Sequence, residues 1–564
     1  MNVHLYLGCV GRIFVASRLI KKIFGKAPQK KPAGPKKNTA QQPEPDRRIY
    51  RSEELKQMAL YPGLQDNLEL FKSVLGLNND VIFRKFRLGV AERVEAVVVY
   101  VEGMVDKNLL NNGITRPLML ESRREGFHGA GQNLLELVKD FAVTVADIHD
   151  VVTMEDLVNG VLYGDVALLI DGHDTALLIG VRGWEARQIS EPSSEVVVRG
   201  PREGFTETLR TNTTLIRRRL RSPNLIFEDY NIGRVTNTGV TVAYIRGIVS
   251  PDMVAEVKRR LKRIKIDGIL ESGYLEEFIE DQTYSPFPQV MRTERPDRVV
   301  AALLEGRVAI LTDGTPFVLI VPAEFVSLMQ SPEDYYERYV LGTAIRWLRY
   351  SALFMSLLLP ALYIAITTYH QEMIPTRLLI SIAAAREGVP FPALVEAVVM
   401  VFTFEALREA GVRLPRAVGQ AVSIVGALVI GQAAVQAGMV SPLMVIVVAV
   451  TGIASFVNPA FNVGISMRLL SFPLMMLAGV LGLFGVMVGV LAILIHLAGL
   501  RSFGVPYLAT LAPLHTGDLK DVLVRAPWWA MARRPDETAK LNRRRQARGL
   551  KPSTSKPGGR QGGE

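Results

Sequence analysis

The sequence predicts an α/β plus membrane α-helical protein: two related N-terminal α/β subdomains, then a polytopic helical membrane domain, with basic disordered tails at the two ends. Three observations lead there. Of 564 residues, 49% are hydrophobic and 21% charged, and the apolar excess is concentrated: charged side chains nearly vanish between Ser351 and Leu500, while residues 1–350 are an ordinary globular mixture. Two stretches of the N-terminal half echo each other, with Gly164 and Gly306, and Asp171 and Asp313, each 142 residues apart. The net charge of +11 is also localised. Residues 1–50 carry eleven Lys/Arg against two acids and 518–564 carry twelve against five, so the tails sum to +16 and the body between them is about −5.

Residues 1–64 form a basic tail and linker of disorder-prone composition, with Lys30-Lys-Pro-Ala-Gly-Pro-Lys-Lys37 at its centre. Beside a membrane, such segments are held on the cytoplasmic face and touch anionic lipid headgroups, a simpler use than nucleic-acid binding, which is not expected. The single cysteine, Cys9, excludes a disulfide framework or a Cys-based metal site within one chain. It also lies too early for a lipoprotein cleavage site.

The two α/β subdomains are placed at 65–195 and, with a preceding linker, at 196–340. Val161–Gly172 aligns with Ala302–Gly314, and each is followed by an apolar run, Ala176–Val181 and Phe317–Val321. Upstream, Glu95–Val105 resembles Gly239–Val249. These are apolar strands, and the Asp-Gly pairs read as hairpin turns because Gly accepts φ > 0. Ser250-Pro251-Asp252 starts a helix, with Ser as cap and Pro in the first turn. Met253, Val254, Val257, Leu261 and Ile264 then share one face, leaving Lys258, Arg259, Lys262 and Arg263 as a solvated or headgroup-facing basic face.

The membrane domain is placed at 341–517, with a basic cytosolic tail at 518–564. Ser351–Tyr369 is nineteen residues without a charge, close to the ~20 that cross the hydrocarbon core as a helix. Arg346 and Arg349 at its entrance put the α/β region on the cytosolic side. Leu378–Ala385 is too short to span and reads as interfacial or re-entrant. Long spans follow at 391–410, 417–438, 442–457 and 473–499, with breaks at Ser441-Pro442 and Asn458-Pro459. Five spans would leave the basic tail outside, whereas the positive-inside tendency asks for an even number, so the count stands at four to six.

No phosphate-binding Gly-Lys-Ser/Thr loop, Gly-x-Ser-x-Gly elbow or His pair at ligand spacing occurs, so an enzyme, a cofactor and a resident metal are not expected. His173 between Asp171 and Asp174 reads as a polar turn, and Gly126–Gly131 as a loop. The candidate residues are instead polar groups inside the spans. An acid at bilayer depth costs ~2.5–3.5 kcal/mol on insertion scales and usually faces an interior or a water-filled path. Glu396 is the better candidate for such a path. Glu405, one turn from Arg408, also suits an interfacial ion pair, and the nine-residue separation of the two acids keeps them out of one shared site. Gln432 and Gln436 fall on one helical face suited to pore lining or to helix packing, beside the small-residue stripe of Gly431, Ala434 and Gly438. Gly485 and Gly489 form a second close-packing pair.

Several longer strings are specific. Val198-Arg-Gly-Pro-Arg-Glu-Gly-Phe-Thr-Glu207 lies between the subdomains, Phe391-Pro-Ala-Leu-Val-Glu396 leads to Phe404–Pro415, and Gly419–Gln432 and Leu519–Pro527 follow. With the order of parts, these make residues 65–535 resemble the A subunits of the GerA family of bacterial spore germinant receptors. Ser471 departs from the pattern, where a second basic residue is expected. The resemblance implies a multi-pass protein of the spore inner membrane with a cytosolic N-terminal domain. It implies a B-type transporter-like subunit and a C-type lipoprotein subunit as partners, and homo-oligomerisation into a nutrient-gated ion channel. The family also includes A-like proteins linked to dipicolinate release. A non-conducting scaffold or signalling platform is the alternative of a different class, and a secondary transporter is disfavoured because the membrane segment lacks repeated halves.

Overall fold

The computed structural model describes residues 49–50, 52–88, 94–121, 134–141, 147–183, 191–192, 195–413, 431–515, 517–547 and 549–552. Residues 1–48 of the expected N-terminal tail, the Gly126–Gly131 loop and most of the expected span 417–438 lie outside the described residues, whereas Tyr50, Leu55 and Leu60, expected in a disordered linker, are buried in the core of the first subdomain.

The echo at 142 residues is a structural repeat. In the first subdomain, helix α1 (Leu64–Leu75) precedes strands β1 (Val81–Leu88) and β2 (Val94–Val101). Strand β3 (Ile148–Val151), helix α2 (Met154–Tyr163) and strands β4 (Val166–Ile170) and β5 (Ala176–Ile179) follow. In the second, α3 (Leu209–Arg219) precedes β6 (Leu225–Ile232) and β7 (Thr238–Ile245). Then come α4 (Pro251–Arg263), α5 (Ser272–Ile279), β8 (Met291–Thr293), α6 (Pro296–Leu304), β9 (Val308–Thr312) and β10 (Val318–Val321). The strand orders are β1-β2-β4-β5-β3 and β6-β7-β9-β10-β8, antiparallel throughout. The first hairpins keep the same register, Val81 opposite Val101 and Leu225 opposite Ile245.

The Asp-Gly pairs are hairpin turns, with Gly172 at φ 86° and Gly314 at φ 85°, where a β-carbon would be strained. They also do something the spacing did not suggest. Asp171 Oδ1 accepts the Leu64 N–H and Asp313 Oδ1 accepts the Leu209 N–H, each at 3.0 Å, so each turn satisfies a free donor at the start of its subdomain's first helix. Asn67 and Asn212 repeat a second device, each closing a loop by paired bonds to the backbone of Tyr61 and Thr206, at 2.6 and 2.8 Å in both cases.

Strand alternation buries both faces of each sheet. Val97, Val99 and Val101 pack with α1 and α2 on one side, while Ala96 and Val98 face Leu110 and Ile114 on the other. In the second sheet, Val240, Val242 and Ile310 pack against Val254, Val257 and Leu261 of α4. Ser250 stands at the N-cap of α4 with Pro251 in its first turn, but its hydroxyl makes no capping bond. The basic face is partly tied down, since Lys258 Nζ lies 2.6 Å from Glu228 Oε1. The opposite face of the second sheet, with Ala243, Leu311 and Ile320, belongs to one apolar cluster that continues through Phe287, Leu328 and Met329 into the helical bundle.

The bundle starts after the short helix α7 (Glu333–Tyr336). It contains α8 (Tyr339–Tyr369), the exposed α9 (Thr376–Arg386), α10 (Ala393–Arg413), α11 (Gly431–Gln436), α12 (Pro442–Phe456) and α13 (Phe461–Gly499). By length and composition, α8 and α13 are long and apolar enough to cross a membrane. The single span expected at 473–499 is corrected. The backbone of α13 breaks at Gly482 (φ 61°, ψ −142°), a region essentially reserved for glycine. Its two halves fold back on each other, with Gly485 seated on the Leu477 backbone and Gly489 on Leu474. Both ends of this hairpin meet one loop of the second subdomain, through Ser466 to the Pro286 carbonyl and His496 Nε2 to Ser285 Oγ at 2.9 Å. Its tip meets the far end of α8, where Tyr369 O–H donates to the Gly479 carbonyl at 2.8 Å.

The expectation of disorder beyond residue 518 is corrected for 518–547 and 549–552. Arg525 and Arg534 are 3% and 9% exposed and donate to backbone carbonyls, Arg525 to Tyr335 and Arg534 to Leu304 and Arg544. The basic side chains that composition assigns to solvent thus anchor the tail to the second subdomain as a strap.

Candidate functional site

The acids and amides expected inside the spans occupy three separate environments. Glu396, in the first turn of α10, is 1% exposed. Its Oε1 accepts both the backbone N–H and the hydroxyl of Ser441, each at 2.5 Å. Ser441 is the N-cap of α12 and accepts the Met444 N–H at 3.3 Å, so the carboxylate sits on the positive end of a helix dipole. Its Oε2 has no hydrogen-bond partner, and the Arg386 guanidinium stands 3.9 Å away. Tyr363 O–H lies 3.4 Å from the Ser441 hydroxyl, completing a buried polar cluster of three helices at the end of the bundle remote from the α/β subdomains. Sequence reading found the acid but missed Ser441. The signal was present in Ser441-Pro442, a helix-start pair read only as a break.

Glu405 lies in the second half of α10, 2.5 Å from Arg408 and 3.4 Å from Arg468 of α13, which in turn reaches Ser455 of α12. The two acids do not share a site. Gln432 and Gln436 are both exposed on the single chain, while Gly431 is buried against Val445 of α12.

A second polar centre joins the bundle to the α/β region. Asp334, 1% exposed, receives Arg346 Nε at 3.0 Å and an Arg349 terminal nitrogen at 2.8 Å on the same oxygen. Arg346 also holds Asp521 of the strap at 2.9 Å, and Tyr335 O–H donates to Asp521 at 2.9 Å. Burial, with the Asp521 carboxylate beside it, holds the Tyr335 phenol well above its ordinary pKa. The two arginines read from sequence as orientation signals are therefore buried partners of Asp334, a residue no motif singled out. His173 stays in a turn, and among the described residues no group of His, Cys, Asp and Glu is arranged to hold a metal.

Residues 69–537 match the family model described as GerA, Bacillus/Clostridium GerA spore germination protein. Spore germination protein KA of Bacillus subtilis is 49% identical over 87% of this chain and 89% of its own length. The uncharacterized membrane protein YfkQ of the same organism is 48% identical over 86% of this chain and 93% of its own. Among solved structures, the N-terminal domain of the A subunit of the Bacillus megaterium spore germinant receptor GerK3 is 39% identical. That match covers 47% of this chain and 97% of the domain, with a TM-score of 0.38. With a family model spanning most of its length and relatives this similar over most of theirs, the chain belongs to the GerA family of spore germination proteins.

Proposed function

We propose that this chain is the A-type subunit of a germinant receptor, and that copies of it assemble in the spore inner membrane into a nutrient-gated ion channel. Its partners on this reading are a B-type transporter-like subunit and a C-type lipoprotein subunit, and its own role is not enzymatic. The observation that carries assembly is the outward face of Gln432 and Gln436. Two amides one turn apart are poorly matched to hydrocarbon, whereas a neighbouring copy or a water-filled lumen satisfies them.

The break at Gly482 supports an even number of passes. Helix α8 runs away from the second subdomain, α10 returns, α12 returns again from the Ser441 end, and the halves of α13 run out and back. Because α8 starts and the second half of α13 ends at the second subdomain, the number of crossings between them is even on this reading, which leaves the strap and the α/β subdomains together on the cytosolic side.

The test uses Cys9→Ser with Gln436→Cys, cross-linked in native membranes by a short bifunctional thiol reagent. A ladder of covalent oligomers is expected. Monomer alone, with a cysteine that still reacts with a monofunctional reagent, refutes self-association through this face. Germinant-triggered cation release unchanged in both Gln432→Ala and Glu396→Gln refutes conduction along these residues. One observation favours the second reading, a non-conducting scaffold: Glu396 is engaged as a helix anchor on Ser441. Reconstituted receptor that binds germinant without ion flux would support it. A role in dipicolinate release, as in A-like members, would show as release defects without a nutrient-response defect.

A further inference from the structure

Where the strap crosses the second subdomain it closes a cavity of about 420 Å³ against α6 and α7. By the volume a water occupies, that is room for a molecule of about ten to fifteen heavy atoms. Tyr335, Tyr336 and Trp528 supply aromatic walls, and Arg307, Arg534 and Arg545 supply cationic ones.

The charges of this wall are not balanced. Asp297 is held by Arg295 at 2.8 Å, Glu305 by Arg545 at 2.6 Å, and Arg298 is paired with Glu195. Arg534 is 9% exposed and bonded only to an amide oxygen and backbone carbonyls; among the described residues no carboxylate lies within ion-pair distance of it. Burial, with Arg545 nearby, pushes its guanidinium below the ordinary value, and the more distant Glu305 carboxylate offsets this only in part. Arg307, 4% exposed, is paired with Glu324 at 3.4 Å, but its Nε has no hydrogen-bond acceptor, Glu305 standing 4.0 Å away. A buried cation without an ion-pair partner, as Arg534 is, is costly, and an anion entering from solvent relieves that cost.

We infer that this cavity is a binding site for a small organic carboxylate with an apolar or aromatic body, its anionic end on Arg534 and Arg307 and its body between Trp528, Tyr335 and Tyr336. Such a ligand bridges the strap and α7. It therefore tightens the segment that places Asp521 against Arg346 at the start of α8.

Benzoate, its neutral isostere benzamide and inorganic phosphate, titrated calorimetrically into the detergent-solubilised full chain, test the inference. Benzoate is expected to bind saturably with a millimolar or tighter constant, and benzamide and phosphate at least about tenfold more weakly. Arg534→Gln is expected to weaken benzoate by about tenfold or more. Ala301→Trp fills the cavity from its exposed rim without touching the buried ions, so it should abolish binding in a chain that still folds. Bound benzoate should also slow proteolysis within 518–547. No benzoate binding to the unmodified chain, equal binding of benzamide or phosphate, or binding unchanged by Ala301→Trp would each overturn the assignment.

Discussion

Replacing Asp80 by alanine tests what holds the two α/β subdomains together. Arg217 of α3 is fully buried and reaches across the boundary, with Nε 3.0 Å and a terminal nitrogen 2.9 Å from the two Asp80 oxygens. Its other bonds go to Asn78 Oδ1 at 3.1 Å and to the carbonyls of Leu225 at 3.2 Å and Ser222 at 3.4 Å, with the Phe227 ring 4.8 Å from the guanidinium. The substitution removes two of these five bonds and, among the described residues, the one carboxylate paired with Arg217. A buried charge stripped of its partner costs ~3–5 kcal/mol, and the surviving carbonyl and amide acceptors place this site near the lower end. At ~3 kcal/mol, amides of β1 and β6 whose exchange requires separation of the subdomains should exchange roughly 100-fold faster. Hydrogen exchange with mass spectrometry on the detergent-solubilised chain measures this directly. The double variant Asp80→Leu with Arg217→Met should recover more than half of the loss, because a buried ion pair replaced by apolar groups of similar volume is often neutral in stability. Acceleration below about fivefold in the single variant, or a double variant as labile as the single, would refute the reasoning.

The repeated helix starts predict equal effects: Asp171→Ala and Asp313→Ala should each cost about 1 kcal/mol, with thermal denaturation shifts that add in the double variant. A shift at only one position would mean that the two turns are not mechanical equivalents. Gly482→Ala imposes a side chain on a backbone conformation costing ~1–3 kcal/mol and places a β-carbon 2.9 Å from the His370 ring. The fraction of chain eluting as a monodisperse species after extraction should fall, while Gly388→Ala, facing open space, should leave it unchanged. Burial, reinforced by Glu280, raises the Glu276 carboxyl from 4.5 to about 7, with Arg292 opposing. The folded state then binds this proton more tightly than the unfolded state. Its contribution is most favourable below pH 4.5 and is lost as pH rises through about 7. Glu276→Gln should flatten the thermal stability profile across that window, and an unchanged slope would assign the pH dependence to other groups.

What could be read from sequence depended on how local its cause is. The Asp-Gly turns were legible because a tight hairpin needs positive φ at a fixed place, and a duplicated need leaves a duplicated residue. The α4 face was legible because helical spacing alone sorts Val254, Val257 and Leu261 from their polar neighbours. By contrast, Glu396 could be flagged as a buried acid, but its partner Ser441 is 45 residues away and the contact exists only after three helices pack. Gly482 is one glycine among many in an apolar run, and only the fold-back of its neighbours shows that it turns the chain. The strap was misread because Arg525 and Arg534 look like solvated charge until the carbonyls they bond are in place.

These contacts rank the boundaries of the molecule by how easily they open. The face of the second sheet bearing Leu311 and Ile320 shares one continuous apolar cluster with Leu353, Leu357 and Met467 of the bundle, and the Asp334 centre is buried at the same junction. Separating these parts exposes core side chains and two guanidiniums together. The boundary between the two α/β subdomains is different in kind. Their apolar clusters are distinct, and the contacts across it are polar: Arg217 on Asp80, Arg210 on Glu102 at 3.0 Å, and the Tyr50 backbone on Asn224. Polar contacts exchange for water at a net cost near 1 kcal/mol each, while exposing core costs ~25 cal/mol for every Å². Motion of the first subdomain against the second is therefore the less costly displacement, whereas the second subdomain, the strap and α8 must move as one body.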